Sequence, residues 1–231
     1  MSSTEVLIAG AGPTGLVLAL WLRRQGVGVR VIDRTDAPGT TSRALAVQAR
    51  TLELYRQLDL ADAVVARGLK VPAVNLWARG ARAARVAFTT IGEQLTPFPF
   101  LEIYPQDEHE RLLIERLTQL GVPVERCTEL TDFTDLGDSV RVELRTAGGK
   151  KERGEVRYLA GCDGARSIVR EVLGLGFPGG TYRQVFYVAD TRGRRSAHQR
   201  RAARRPRRGG LSRRFSARRR RPRTSDRHRA R

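Results

Sequence analysis

An α/β fold, with parallel strands layered against helices, follows from two features of this 231-residue chain. Val6-Leu7-Ile8-Ala9 is a short apolar run that stops at a cluster of glycines, as a parallel strand buried on both faces does. Val29-Arg30-Val31-Ile32-Asp33 repeats that character after a helical stretch, so strand, turn, helix and strand fit within about 30 residues, the size of one βαβ unit.

The remaining elements follow in order. Leu16 to Leu22 is apolar nearly all round, which suits a helix packed between a sheet and its neighbours. Arg23 and Arg24 favour its C-terminal end, and Gly26 can stop it. Leu45 to Leu58 carries apolar residues at helical spacing, and a further short helical stretch runs to Gly68. Val74 to Ile91 reads as extended, with two strands flanking Gly80, and Pro97 and Pro99 bound a connection. Asp107 with Glu110 spells a capping box, after which Leu113, Leu117 and Leu120 line one helix face before Gly121. Val140, Val142 and Leu144 alternate with Arg141, Glu143 and Arg145, the pattern of a half-buried antiparallel strand. Gly148-Gly149 turns the chain and Val156 to Ala160 is expected to return it. No internal repeat is visible.

Charge divides the chain in two. Residues 191–231 hold 19 Arg, no Lys and one acid, Asp226. Without them the basic residues fall from 43 to 24 and the acidic ones from 24 to 23, so the body is near neutral at +1. Leu211 and Phe215 are the tail's only large apolar residues, too few to offset the entropy of ordering, so the tail is expected to be disordered. A run such as Arg218-Arg219-Arg220-Arg221-Pro222-Arg223 predicts salt-sensitive, nonspecific polyanion binding, and with Phe215 alone to stack on a base no specific nucleic-acid partner is expected.

Cys127 and Cys162 lie far apart without a Cys-x-x-Cys spacing, which argues for a reduced compartment and against a zinc site or disulfide scaffold. The apolar stretch Val6 to Leu22 is short and broken by Gly10, Gly12, Pro13 and Gly15, so no membrane anchor is expected and the chain reads as cytoplasmic. His109 is the body's one histidine; it is expected on an exposed helix face, and neither a Ser-His-Asp site nor a histidine metal site can be built.

The chemistry sits in the first glycine turn, Gly10-Ala11-Gly12-Pro13-Thr14-Gly15. Gly10 allows the tight turn, Gly12 lets backbone approach a pyrophosphate, and Gly15 lets helix and strand pack closely. The helix N-terminus offers free N–H groups and partial positive charge to the phosphates. Asp33, followed by Arg34, lies 23 residues after Gly10, near the ~20-residue separation of a ribose-hydroxyl ligand. Together these predict a Rossmann-like dinucleotide site.

Three more segments follow in order: Ser42-Arg43-Ala44, Tyr104-Pro105-Gln106, and Tyr158-Leu159-Ala160-Gly161-Cys162-Asp163-Gly164, the last completed by Ser167 and Arg170. With the glycine turn they make residues 4–190 resemble the aromatic-ring hydroxylases, the single-component flavoprotein monooxygenases of the para-hydroxybenzoate hydroxylase type. The resemblance implies FAD as cofactor, NADPH or NADH as co-substrate, and O2 and a small aromatic ring, phenolic or polyketide-like, as substrates. By analogy Arg43 and Gln106 hold the FAD phosphate and ribityl region, and Asp163-Gly164 serves FAD and NAD(P)H use. In that family the flavin, through a C4a-hydroperoxide, carries the oxygen transfer, so no catalytic side chain and no metal is implied. Structural alternatives stand beside these roles: Arg43 as a solvated surface residue, Gln106 as the residue before a helix cap, Asp163 as a cap for a helix near Ser167. Arg50, seven residues after Arg43, can share its helix face, and Cys162 reads as a core residue.

The expected architecture is therefore an α/β, Rossmann-like, three-layer FAD-binding domain made of residues 1–71 and 104–190, with a partial β-rich substrate domain inserted at 72–103 and a basic tail at 191–231. The family's further Gly-Asp motif is not found, and the likeness stops at Val188-Ala189-Asp190. The body is thus expected to be the N-terminal part of a monooxygenase, truncated and inactive in hydroxylation, and the tail an out-of-frame translation. Two other readings compete: an FAD-binding fragment whose tail binds nucleic acid, and a related flavoprotein epoxidase, halogenase or reductase. The Lys and Trp motifs of flavin halogenases are not evident.

Overall fold

The computed structural model describes residues 4–39, 46–88, 92–180 and 183. The chain divides into two units, Met1–Pro178 and Gly179–Arg231, and every helix and strand described lies in the first. Ser42-Arg43-Ala44, the segment Val188-Ala189-Asp190 and the arginine-rich tail lie outside the described residues.

Strand β1 (Val6–Ala9) leads through the glycine turn into helix α1 (Pro13–Arg24), and β2 (Val29–Ile32) follows. Gly26, at φ 81°, makes the left-handed turn that ends α1. Next come β3 (Ala46–Val47), α2 (Ala49–Arg56), α3 (Ala61–Arg67), β4 (Leu69–Val71), β5 (Ala73–Ala78), β6 (Ala81–Ala87) and β7 (Leu101–Ile103). The chain continues through α4 (Gln106–Gln119), β8 (Val124–Glu125), β9 (Glu129–Asp135), β10 (Val140–Arg145), β11 (Lys151–Val156), β12 (Tyr158–Gly161) and the short α5 (Ile168–Val172).

A four-stranded parallel sheet in the order β12-β1-β2-β8 forms the centre. Because side chains alternate across a strand, β1 builds two cores at once. Val6 and Ile8, with Val31, pack among Leu16, Leu20, Leu113 and Leu117 of α1 and α4. Leu7 and Ala9, with Ile32, pack against Leu130, Val142, Leu144 and Val156 of the antiparallel sheet β11-β10-β9. Helices, parallel sheet and antiparallel sheet thus make the three expected layers. Arg30 on β2 fastens the two sheets: its guanidinium donates to Glu125 of β8 at 2.7 and 2.8 Å and to Glu152 of β11 at 2.6 Å.

Beside this core, β3-β7-β4 forms a second antiparallel sheet, and β5 and β6 pair as a hairpin across Arg79-Gly80. Val74, Leu76, Trp77 and Val86 of the hairpin are exposed. In the β3-β7-β4 sheet Glu102 is wholly buried, and neither carboxylate oxygen has a hydrogen-bond partner among the described residues. Burial pushes its carboxyl up to about 7, against the pull of Lys70.

Four local expectations are corrected. The helix expected over Leu45 to Leu58 starts at Ala49, because Ala46-Val47 is taken by pairing with β7. The Asp107/Glu110 capping box does not form: α4 begins at Gln106, inside which Asp107 pairs with Arg111 and Glu110 accepts from Gln106. The strand returning from Gly148-Gly149 is Lys151–Val156, whereas Tyr158–Gly161 joins the parallel sheet beside β1. His109 is buried, not exposed, and its Nε2 lies 2.7 Å from the Tyr55 hydroxyl oxygen. Desolvation lowers its imidazole to about 4.

Candidate functional site: a crevice at the ends of the parallel strands

The parallel register sets the glycine turn, Asp33 and Cys162 side by side at the C-terminal ends of β1, β2 and β12. Backbone bonds lock that edge: Gly10 N–H to the Ile32 carbonyl at 2.9 Å, and Cys162 N–H to the Ala9 carbonyl at 2.8 Å. Ligands of open α/β sheets bind outside this edge. A crevice of about 700 Å³ lies there, lined by Gly10, Gly12, Asp33, Gln106, Asp163 and Gly164 among others. That volume suits a cofactor-sized ligand.

The three glycines differ in what surrounds them. A Cβ on Gly10, whose φ is 107°, would lie 2.3 Å from the Cys162 carbonyl oxygen, and one on Gly15 would lie 2.0 Å from the Gly10 carbonyl oxygen. Strand, turn and helix therefore close up only without side chains at these two positions. A Cβ on Gly12 would meet nothing within 4 Å among the described residues. Its backbone faces open space, as needed for a diphosphate to come close. Helix α1 starts there with no side-chain cap and with Pro13 in its first turn, so its leading N–H groups are left for a ligand. Ala11, Pro13, Thr14 and Gly15 shape this turn and do not line the crevice wall.

Asp33 is held from several sides. Its Oδ2 accepts from the Ala11 N–H at 2.7 Å, and its Oδ1 accepts from the Thr35 N–H at 2.8 Å and the Thr35 hydroxyl at 2.6 Å. An Arg126 nitrogen stands 3.6 Å from Oδ1. Burial opposes ionisation, yet the Thr35 and Ala11 hydrogen bonds and Arg126 together hold the carboxyl below the usual range. Arg34 lines the crevice next to it.

Asp163 does two things. Its Oδ2 accepts the Ile168 N–H at 2.7 Å, so part of the capping alternative is met, while Ser167 is the N-cap itself and accepts from Arg170 N–H at 3.1 Å. Its Oδ1 is buried at the crevice wall without a hydrogen-bond partner among the described residues. A buried carboxylate oxygen left unpaired is costly and marks a place where a bound group can complete the site. Gly164 takes φ 79°, the left-handed conformation that lets the loop turn beneath it. Gln106 reaches the crevice from the first turn of α4 and donates to Glu110 at 2.8 Å. Burial, aided by Asp163, raises the Cys162 thiol, which packs against the helix-side core as expected. Arg50 is exposed and pairs with Glu53.

Sequence reasoning missed one whole wall: Thr128 and, on β9, Leu130 and Thr131, with Arg126 behind Asp33. The signal was Val122 and Val124 after Gly121, a short apolar segment that follows a helix and supplies β8, the parallel neighbour of β2. Its C-terminal end had to fall on the same sheet edge. Among the described residues, no helix is long and apolar enough to cross a membrane, and no group of three or more His, Cys, Asp or Glu could hold a metal ion.

Comparison with known proteins places the chain in a family. The chain is 51% identical over 171 residues to the 6-methylpretetramide 4-monooxygenase of Streptomyces rimosus, covering 74% of this chain and 30% of that protein. Its fold superposes on p-nitrophenol 4-monooxygenase of Pseudomonas putida with a TM-score of 0.73 at 28% identity, over 79% of this chain and 46% of that one. It superposes on an aklavinone-11 hydroxylase solved with FAD and aklavinone with a TM-score of 0.67 at 32% identity, over 75% and 35% of the two chains. The chain thus spans less than half the length of these relatives. The FAD binding domain family matches residues 3–205, past Asp190 where the likeness was expected to stop, and on that match the chain belongs to the FAD binding domain family.

Proposed function

We propose that this chain is the cofactor-holding part of an FAD-dependent monooxygenase that hydroxylates an aromatic or polyketide ring, with NADPH or NADH as reductant and O2 as oxidant. The observation that carries the reading is the convergence of the glycine turn, Asp33 and Asp163-Gly164 on one crevice. The residues fit a flavin dinucleotide. The open face at Gly12 and the uncapped α1 N-terminus would hold the diphosphate. Asp33 would accept from a ribose hydroxyl, while Gln106, Asp163 and Gly164 would line the path toward the flavin. Arg43 belongs to this reading by resemblance, and the hairpin β5–β6 would begin the sheet that faces the ring substrate. The bound flavin would supply reduction by the nicotinamide and activation of O2.

This chain's own residues bind, orient and exclude water; no side-chain nucleophile is required of them. The test is titration of the purified chain with FAD, followed by flavin fluorescence. One FAD per chain is expected. Asp33→Ala should weaken binding by about tenfold or more, as for loss of a hydrogen bond to a charged group. A folded chain that ignores FAD would overturn the proposal, and unchanged affinity in a folded Asp33→Ala variant would remove Asp33 from it.

A further inference from the structure

Arg126 lies at the back of the crevice, where no motif points to it. It leaves the end of β8 beside Asp33, and its side chain is mostly buried. One guanidinium nitrogen donates to the Thr35 hydroxyl at 3.2 Å and stands 3.6 Å from Asp33 Oδ1. The same Thr35 hydroxyl donates to Asp33 Oδ1. The other terminal nitrogen is buried without a hydrogen-bond partner among the described residues. Keeping an unpaired donor buried is a cost, and the contacts that offset it are those with Thr35 and Asp33.

The acceptor capacity of Asp33 gives this placement a direction. A carboxylate offers roughly two acceptor sites per oxygen. The amide and hydroxyl of Thr35 fill Oδ1, and the Ala11 amide takes one site of Oδ2. One site on Oδ2 remains for a ligand hydroxyl. Arg126 is on the opposite, Oδ1 side, so it holds the carboxylate without competing for that site.

We propose that Arg126 is a positioning residue for the cofactor site: from behind, through Thr35, it fixes the orientation and charge of Asp33, so that Oδ2 is presented to one ribose hydroxyl of the adenosine half. This rests on Asp33 being the ribose ligand, as proposed above. Asp33 is desolvated, which by itself favours the protonated acid. A protonated acid is a poorer acceptor for a hydroxyl, so the clamp should matter most at low pH. The other charged groups on the crevice wall are Arg34, Glu129, Arg145, Asp163, Arg166 and Glu171. Glu129 is engaged by Arg145 and Asp163 by the Ile168 amide.

The test measures FAD affinity of the full chain, by flavin fluorescence, from about pH 8 down to about pH 5, toward the range in which carboxyl groups take up a proton. The variants are Arg126→Met, Arg126→Lys and Asp33→Asn, each checked for folding by circular dichroism. Arg126→Met should bind more weakly than the parent, and the deficit should be larger at the acid end of the range than at about pH 8, because without the adjacent cation desolvation more readily favours the acid. Arg126→Lys should restore the parent pH profile. Asp33→Asn should flatten it. A deficit in Arg126→Met that is constant with pH, or that lysine does not relieve, would overturn the positioning role. Should Arg126→Met fail to fold, Thr35→Val breaks the same bridge and must show the same pH-dependent deficit. Full affinity in Asp33→Asn would instead refute the ribose-ligand reading on which the inference rests.

Discussion

Lowering the pH should destabilise this domain at His109. Its imidazole is packed between Tyr55 and Tyr104, with ring centroids 5.4 and 5.6 Å away. Burial takes it from the ordinary value of 6.5 to about 4 in the folded chain. In the unfolded chain it regains the ordinary value. Between these limits the unfolded state binds the proton and the folded state does not, so stability rises with pH there. The contribution is complete above the unfolded value, shrinks as pH falls, and is gone below about 4. At 1.36 kcal/mol per unit, the loss is about 3 kcal/mol, a sizeable part of a typical domain's stability. The assay is urea unfolding at about pH 7.5 and about pH 4.5, on either side of most of the His109 transition. It is run on the parent and on a Tyr55→Phe/His109→Leu double variant, which leaves no orphaned hydroxyl. Packing changes in the variant are common to both pH values and cancel in the difference. The parent should lose about 2–3 kcal/mol more than the variant on acidification. Equal losses would show that the imidazole is hydrated in the folded state and that the burial argument is wrong.

Glu102 should act with the opposite sign. Its folded value is raised to about 7, so its stabilising contribution is present below the unfolded value of 4.5 and is lost as pH rises through 7. Glu102→Gln should therefore gain about 3 kcal/mol relative to the parent between about pH 4 and pH 8, and a gain independent of pH would contradict the assignment. The glycine turn offers a separation of roles. Gly15→Ala should lower the melting temperature, because its Cβ meets backbone at 2.0 Å, whereas Gly12→Val should melt like the parent yet bind FAD poorly; equal melting of both variants would refute the packing account. Deleting residues 191–231, which carry 19 Arg, should abolish retention on a DNA column at low salt while leaving FAD binding intact.

The elements most legible in the sequence are those whose physics is local. Gly10 to Gly15 and Asp33 could be placed because a tight turn, a close backbone approach and a strand end each demand a residue type at a fixed spacing, and the parallel register β12-β1-β2 brings them together. The alternation from Val140 to Leu144 was equally readable, since one face of β10 is buried. The errors fall where a distant partner overrides a local pattern. Asp107 and Glu110 match a capping box letter for letter, but α4 starts before them, at Gln106, whose side chain takes Glu110 away from the helix end. His109 stands amid acids and arginines and reads as a surface residue. The approach of Tyr55, 54 residues earlier, helps make that helix face an interior. Arg126 belongs to the same class. Its partners Thr35 and Asp33 are about ninety residues away in the chain, and nothing in its own neighbourhood requires an arginine. Motifs expose the residues that touch a ligand, since the ligand constrains local spacing. The residues that hold those ligands in place are set by tertiary packing, and for them the fold is the first legible signal.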